Sequence, residues 1–188
     1  QYVKAEDLAL TITQKYPMHH YAWKILAAVL EQSDRLPEAL TANQKALKIS
    51  PNDPEIHLCI GNNFNHLEKL KDAELSYKRA IELKSNYLQA YFNLALVLNK
   101  MQRFEESALN YKHVIALKPD FAQGYYSFGL TLIEMCNFEE AVINFKKAIT
   151  IMPEYPQAFF NLGISFRGLG QKKEALESFK QAIILKPK

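Results

Sequence analysis

The sequence predicts an all-α protein assembled from repeated helix–turn–helix units. Three observations predict it. First, a 34-residue period runs through the chain without insertion or deletion: stepping back from Gly163 gives Gly129, Ala95, Gly61 and Ala27, and from Phe159 gives Tyr125, Tyr91, His57 and Trp23. The same step joins Pro187, Pro153, Pro119, Ser85, Pro51 and Pro17, and also Ala175, Ala141, Ser107, Ala73, Ala39 and Ala5. Second, apolar or small residues within each period recur at i, i+3, i+4 and i+7, as in Tyr91, Leu94, Ala95 and Leu98. That spacing is one face of a helix. Third, six glycines in 188 residues argue against a loop-rich or all-β chain.

Residues 1–19 read as the second helix of a partial repeat, with Ala5, Ala9 and Ile12 on its packing face and Pro17 closing it. Five whole units follow, over 20–53, 54–87, 88–121, 122–155 and 156–188. Each opens with a helix whose fourth, seventh, eighth and eleventh positions pack, as in Trp23, Leu26, Ala27 and Leu30. A short turn comes next, such as Lys100–Gln102 or Gly168–Gly170. The second helix carries sets such as Ala73, Tyr77, Ala80 and Ile81. Small residues at positions 8, 20 and 27 let the two helices approach, and an aromatic at 24 fills the space beside them. Proline at position 32 cannot continue a helix, because it lacks the N–H and disfavours helical geometry in its predecessor. Three departures stand out. Asn43 replaces the aromatic and is expected to leave the first unit short of core volume. Ser107 and Val114 replace alanines. Lys172 stands where Phe104 and Phe138 stand earlier, which loosens the last turn.

The period and its fixed offsets resemble the tetratricopeptide repeat. In the fifth unit Phe159, Leu162, Gly163, Phe166, Ala175, Phe179, Ala182 and Pro187 fill all eight signature positions. The resemblance covers the whole chain. It implies a right-handed α-solenoid acting as a protein-interaction scaffold, with an extended peptide or partner segment held in a concave groove. Residues 51–64 and 117–129 are also similar to bacterial arrays that precede O-GlcNAc-transferase-like or sulfotransferase domains. One alternative is therefore the substrate-recognition arm of a larger transferase. Another is a self-assembling scaffold: each repeat leaves an apolar flank for the next to cover, and Leu8, Ile12, Ile183 and Leu185 lie on the two terminal flanks. End-to-end self-association is the expected consequence. The chain starts with Gln1, half-way through a repeat, and so reads as a piece of a longer array.

Composition narrows the partners. Hydrophobic residues at 48% and charged ones at 23% are an ordinary globular balance. The net charge of +3 comes from residues 154–188, since the first 153 residues are neutral. A nucleic-acid binder needs a dense basic stripe, so no nucleic acid is expected. No apolar run nears the twenty or so residues of a membrane span, and residues 1–20 lack the pattern of a signal peptide. No membrane partner is expected, and a cytoplasmic location is. The chain is not expected to be an enzyme or to hold a cofactor or metal. Gly163 and Gly168 have phosphate-loop spacing, but Leu169 follows where lysine is required. His57 holds a packing position, and His19-His20 falls at a repeat junction. Cys59 and Cys136 read as buried thiols serving as small hydrophobes. Glu105-Glu106 and Glu139-Glu140 open second helices, where they complement the helix dipole.

Carried over from the family, positions 2, 5, 9, 12 and 13 of each first helix line the groove. Position 5 reads Lys24, Leu58, Phe92, Tyr126 and Phe160; position 9 reads Ala28, Asn62, Leu96, Leu130 and Ile164. Position 12 includes Asn99, and position 6 includes Asn93 and Asn161. Large apolar residues on a groove face need a reason. The expected peptide-binding set is therefore Phe92, Asn93, Leu96, Asn99, Tyr126, Leu130, Phe160, Asn161 and Ile164, with aromatics anchoring side chains and amides holding a backbone. A carboxylate clamp of the co-chaperone type is not expected: Lys24 matches it, but Ala28 stands where asparagine is needed.

Overall fold

The computed structural model describes residues 2–185, with side chains from residue 5. Pro187, the last proline of the register, lies outside the described residues. The described residues form helices joined by short turns. The lone leading helix is α1 (Tyr2–Lys15). The first helices of the repeats are α2 (His20–Gln32), α4 (Pro54–His66), α6 (Leu88–Lys100), α8 (Ala122–Glu134) and α10 (Pro156–Gly168). The second helices are α3 (Leu36–Ile49), α5 (Leu70–Leu83), α7 (Phe104–Leu117), α9 (Phe138–Ile151) and α11 (Lys172–Leu185). The all-α class read from the period is the class observed. The chain divides into two compact units, Gln1–Val97 and Leu98–Lys188.

Three-residue turns make each pair of helices antiparallel. Every such turn has the same geometry. Asp34, Glu68, Gln102 and Cys136 have φ of 55–58°, and Gly170 has φ of 73°. All five hold position 15. The next N–H reaches back five residues, as in Arg35 to Leu30 (2.9 Å) and Asn137 to Leu132 (2.8 Å). This is a Schellman closure, which normally recruits glycine because a Cβ is strained at positive φ. Only Gly170 supplies it. Cys136 is thus exposed at a turn, which corrects its reading as a buried thiol. Lys172 is exposed at the start of α11.

In the first unit α1 packs on α2, α2 on α3, α3 on α4 and α4 on α5. The small residues at positions 20 and 27 are sealed: Ala39, Ala46, Ala73 and Ala80 are fully buried. Tyr77 fills its slot and donates from its hydroxyl to Asn62 Oδ1 (2.9 Å). The Trp23 indole N–H donates to the Pro17 carbonyl (2.8 Å), and one period on the His57 ring nitrogen lies 2.9 Å from the Pro51 carbonyl. His57 therefore reproduces the hydrogen bond of Trp23 as well as its position. Asn43 does not leave a gap. It is buried and donates to Asn63 Oδ1 (2.9 Å), while Asn63 donates to Glu31 (2.6 Å). A satisfied polar trio takes the place of a ring, as burial of amides requires.

In the second unit α7 packs on α8, α8 on α9, α9 on α10 and α10 on α11. Tyr111 and Phe145 are sealed in the aromatic slot, and Ser107 and Val114 are buried without displacement of the helices. Burying a side chain the size of Phe145 is worth about 2–3 kcal/mol, so the slot is a main source of cohesion in the pairs that carry a ring there.

Candidate binding groove

A concavity lies in the second unit, between the first helices α8 and α10 and the second helix α11. It is a groove of about 570 Å³ lined by Tyr126, Pro156, Gln157, Phe160, Asn161, Phe179, Ala182 and Ile183. Helix geometry explains the set. Pro156 opens α10 with its fixed φ, and residues 156, 157, 160 and 161 follow at i, i+1, i+4 and i+5, one stripe of that helix. Residues 179, 182 and 183 form the matching stripe of α11. Phe160 is 52% exposed and Ile183 70% exposed, and together they give the groove a contiguous apolar surface. The Phe160 and Phe179 rings pack at 5.5 Å between centroids and make the groove floor aromatic.

Tyr126 forms the opposite wall and is itself well held. Its ring meets Phe145 edge-on at 5.9 Å and Tyr155 at 4.8 Å. Asn161 Nδ2 donates to its hydroxyl (3.2 Å) and to the Gln157 carbonyl (2.9 Å). Burial pushes the Tyr126 hydroxyl above the usual tyrosine range, although the Asn161 hydrogen bond works the other way. The wall is therefore a neutral, apolar surface with one fixed amide at its rim.

The structure places Tyr126, Phe160 and Asn161 together in this groove. Asn99 and Leu130 lie apart from it, around a shallower hollow that also includes Lys100, Phe104 and Glu134. Asn99 donates to the Thr131 hydroxyl (2.9 Å) there. Ile164 is half-buried in α10. Phe92, Asn93 and Leu96 belong to the other unit. Asn93 donates to Asn62 (2.8 Å) and accepts from Gln89 (2.9 Å), Phe92 is half-buried and Leu96 is exposed. Lys24 is also committed. It pairs with Asp53 (3.3 Å) and Glu55. Burial opposes its charge, but these carboxylates hold its pKa above the ordinary lysine value.

Sequence reasoning reached Gln157 only through its position 2, missed Phe179 and Ala182 as groove residues, and read Ile183 only as a terminal flank. It also missed a recurrent exposed position. Leu75 in the first unit, and Leu109 and Ile143 in the second, all hold position 22 on second helices and are 60–67% exposed. Among the described residues no cluster of acidic, histidine or cysteine side chains could hold a metal, and no helix is long and apolar enough to cross a membrane.

Tetratricopeptide-repeat models match residues 1–54, 88–121, 122–155 and 156–188, leaving only 55–87 unmatched. No curated protein matches the sequence. Among solved structures, MamA is similar over 88% of this chain and 91% of its own, with 25% identity and a TM-score of 0.83. A MamA fragment from Desulfovibrio magneticus RS-1 is 22% identical over 88% of this chain and 94% of its own, with a TM-score of 0.84. YrrB, described as a TPR protein with an unusual peptide-binding site, is 20% identical over 97% of this chain and 94% of its own, with a TM-score of 0.84. At these identities the likeness to YrrB and the RS-1 fragment is one of fold. Repeat period, helix pairing and matched models agree, and the chain belongs to the tetratricopeptide repeat family.

Proposed function

We propose that this chain is a protein-interaction scaffold that captures a partner segment through the groove between α8, α10 and α11. One observation carries the reading: the exposed side chains of Phe160 and Ile183 line an apolar, aromatic-floored concavity whose rim offers the amide of Gln157 and the fixed amide of Asn161. Large anchors in concave sites dominate the energy of protein interfaces, and amide groups at the rim suit a peptide backbone. The peptide-binding site described for YrrB supports the same reading by analogy of fold. The nine residues read from the sequence contribute Tyr126, Phe160 and Asn161 to this proposal. Asn99, Leu130 and Ile164, in the same unit, are proposed as secondary contacts, and Phe92, Asn93 and Leu96 as contacts on the other unit considered by itself.

The test is selection of peptides from a random display library on the 188-residue chain. Enriched peptides should lose binding to Phe160→Ala and to Ile183→Ser, with helical circular dichroism unchanged. They should keep binding to Leu109→Ser and Ile143→Ser, at position 22 of the second helices. Loss on these two variants alone would move the site to that face and refute the groove.

A further inference from the structure

Another concavity lies in the first unit. It is a slot of about 390 Å³ between the second helices α1 and α3, floored by α2. Leu26 and Leu30 make the floor, Trp23 lies beside them, and Leu10 and Thr13 line the α1 side. The α1 residues hold positions 21, 25, 28 and 29, not the positions 20, 24 and 27 by which a second helix meets its own first helix, so the walls are α1, α2 and α3 alone. The register shows what is small here. Position 28 is Thr13 in α1 and leucine or isoleucine in every later unit: Leu47, Ile81, Ile115, Ile149 and Ile183. Positions 7 and 11 are both leucine on this floor. Each of the other second-helix pairs that lie within one unit has a ring at one of them: Phe64 for α3 and α5, Phe128 for α7 and α9, Phe166 for α9 and α11. In the last two a position-25 lysine covers the ring, Lys112 over Phe128 at 5.8 Å and Lys146 over Phe166 at 5.4 Å. Position 25 of α1 is Leu10. The first slot thus lacks both the ring and the covering lysine that those two supply from the chain itself.

We infer that this slot is a binding site for a small aromatic acid, a flat ring carrying a carboxylate. Size, lining and charge each select it. A volume of about 390 Å³ lies in the range of small-molecule sites, and the floor is apolar. A ring laid on Leu26 and Leu30 takes the place that Phe128 and Phe166 occupy at the equivalent positions. Thr13 adds no competing donor, because its hydroxyl is already bonded to the Leu10 carbonyl (2.8 Å). The two ends of the slot differ in charge. Toward the start of α1 and α3, Arg35 is committed: its Nε donates to Glu38 (2.7 Å), and its terminal nitrogens pair with Glu6 and Glu38. Two carboxylates against one guanidinium leave that end net negative, and it repels an anion. Toward the other end Lys45 is exposed and holds its ammonium 4.3 Å from the centre of the Trp23 ring. The carboxylate would pair there, with the ring beside Trp23. A peptide fits less well than a free acid. The floor and sides are interior turns of helices, whose backbone groups bond within the helix and leave nothing for a second backbone. The site lies in the first unit and is independent of the scaffold reading above.

Trp23 is the only tryptophan of the sequence, so its fluorescence reports on the slot. The probe is para-iodobenzoate, whose iodine quenches a tryptophan that it touches. Titrated into the 188-residue chain, it should quench Trp23 saturably, in the millimolar range or below for so small a ligand. The neutral para-iodobenzyl alcohol should bind about threefold more weakly, and Lys45→Ala should erase that difference, as the loss of one exposed ion pair predicts. Leu30→Phe puts a ring where Phe64 and Phe166 stand in their units. It should abolish saturation and leave the melting temperature unchanged or higher, because it fills space that is free instead of overpacking a closed core. Thr13→Ile is a second filling variant and should weaken the acid with the same thermal signature. Quenching that stays linear at millimolar para-iodobenzoate would overturn the site, as would equal binding of acid and alcohol, or saturation that survives both filling variants. A fall in melting temperature in both filling variants would also overturn it, since the slot would then have no room for a ring. Binding that disappears as the chain is concentrated would overturn it in favour of a second copy as occupant.

Discussion

Replacing Gly129 by alanine, and comparing the result with Gly163→Ala, isolates the contact that lets each helix pair close. Both glycines hold position 8, in the middle of a first helix. In such a place alanine is favoured over glycine by about 1 kcal/mol of helix propensity. A Cβ at Gly129 would stand 2.7 Å from Cε1 and Cζ of Phe145, and one at Gly163 would stand 2.6 Å from Cε1 of Phe179. Neither distance is tolerable, so a ring must move in each variant. Phe145 is sealed on all sides, whereas Phe179 is half-buried and borders the groove. Overpacking a closed core costs about 1–3 kcal/mol, which outweighs the propensity gain at Gly129. At Gly163 the ring can swing into the groove, so the two effects roughly cancel. The variants should therefore differ by about 1–2 kcal/mol, or roughly 3–6 °C in melting temperature for a chain of this size. Thermal unfolding followed by circular dichroism reads the difference. Gly163→Ala should also weaken groove peptides, because the displaced Phe179 ring occupies their space. Equal melting temperatures for the two variants would refute the reasoning, since the near contacts of the added Cβ are alike and the facing rings differ in burial.

Two further predictions follow from backbone and protonation. At the position-15 turns, Gly170→Ala should cost about 1 kcal/mol, because a Cβ there meets no atom within 4 Å and the penalty is purely the strain of φ 73°; Asp34→Gly, at φ 58° and exposed, should be neutral or slightly stabilising in a urea titration, and a clear loss would show that Asp34 contributes more than backbone shape. Stability should fall as pH rises from about 9 to about 12: burial, helped by Glu31 and Glu55, pushes the Cys59 thiol up to about 11, and burial beside Tyr126 pushes the Tyr155 hydroxyl up to about 12. The folded state then holds these protons after the unfolded chain has released them, so the stabilisation is whole below pH 9 and drains away above it. Urea midpoints at pH 8 and pH 10.5 measure this, with Cys136 alkylated well before Cys59; an unchanged midpoint would contradict the burial of both groups.

How much was legible in the sequence depended on whether a residue's role is repeated. The helices and their packing faces were readable because the same physical demand recurs every 34 residues: Ala80 and Ala148 are both sealed, and both face a close helix contact. Asn43 was misread because it is judged against that average. Its partner is Asn63, twenty residues on in the next repeat, and a cross-repeat hydrogen bond leaves no trace in the period of either residue. Cys136 was misread for a related reason. Buried cysteine is a sound expectation for an apolar residue in a helix, but position 15 is a left-handed turn that four of the five repeats fill with ordinary residues, so composition at that position does not announce its geometry. The groove was half legible. Gln157, Phe160 and Asn161 could be placed on one side of α10 by helical periodicity alone, but Phe179, Ala182 and Ile183 join them only through the packing of α10 on α11. That packing was nonetheless encoded one repeat earlier. Tyr155 sits among Gln123, Ala148 and Ile149 in the same relative positions, one period before Gln157, Ala182 and Ile183.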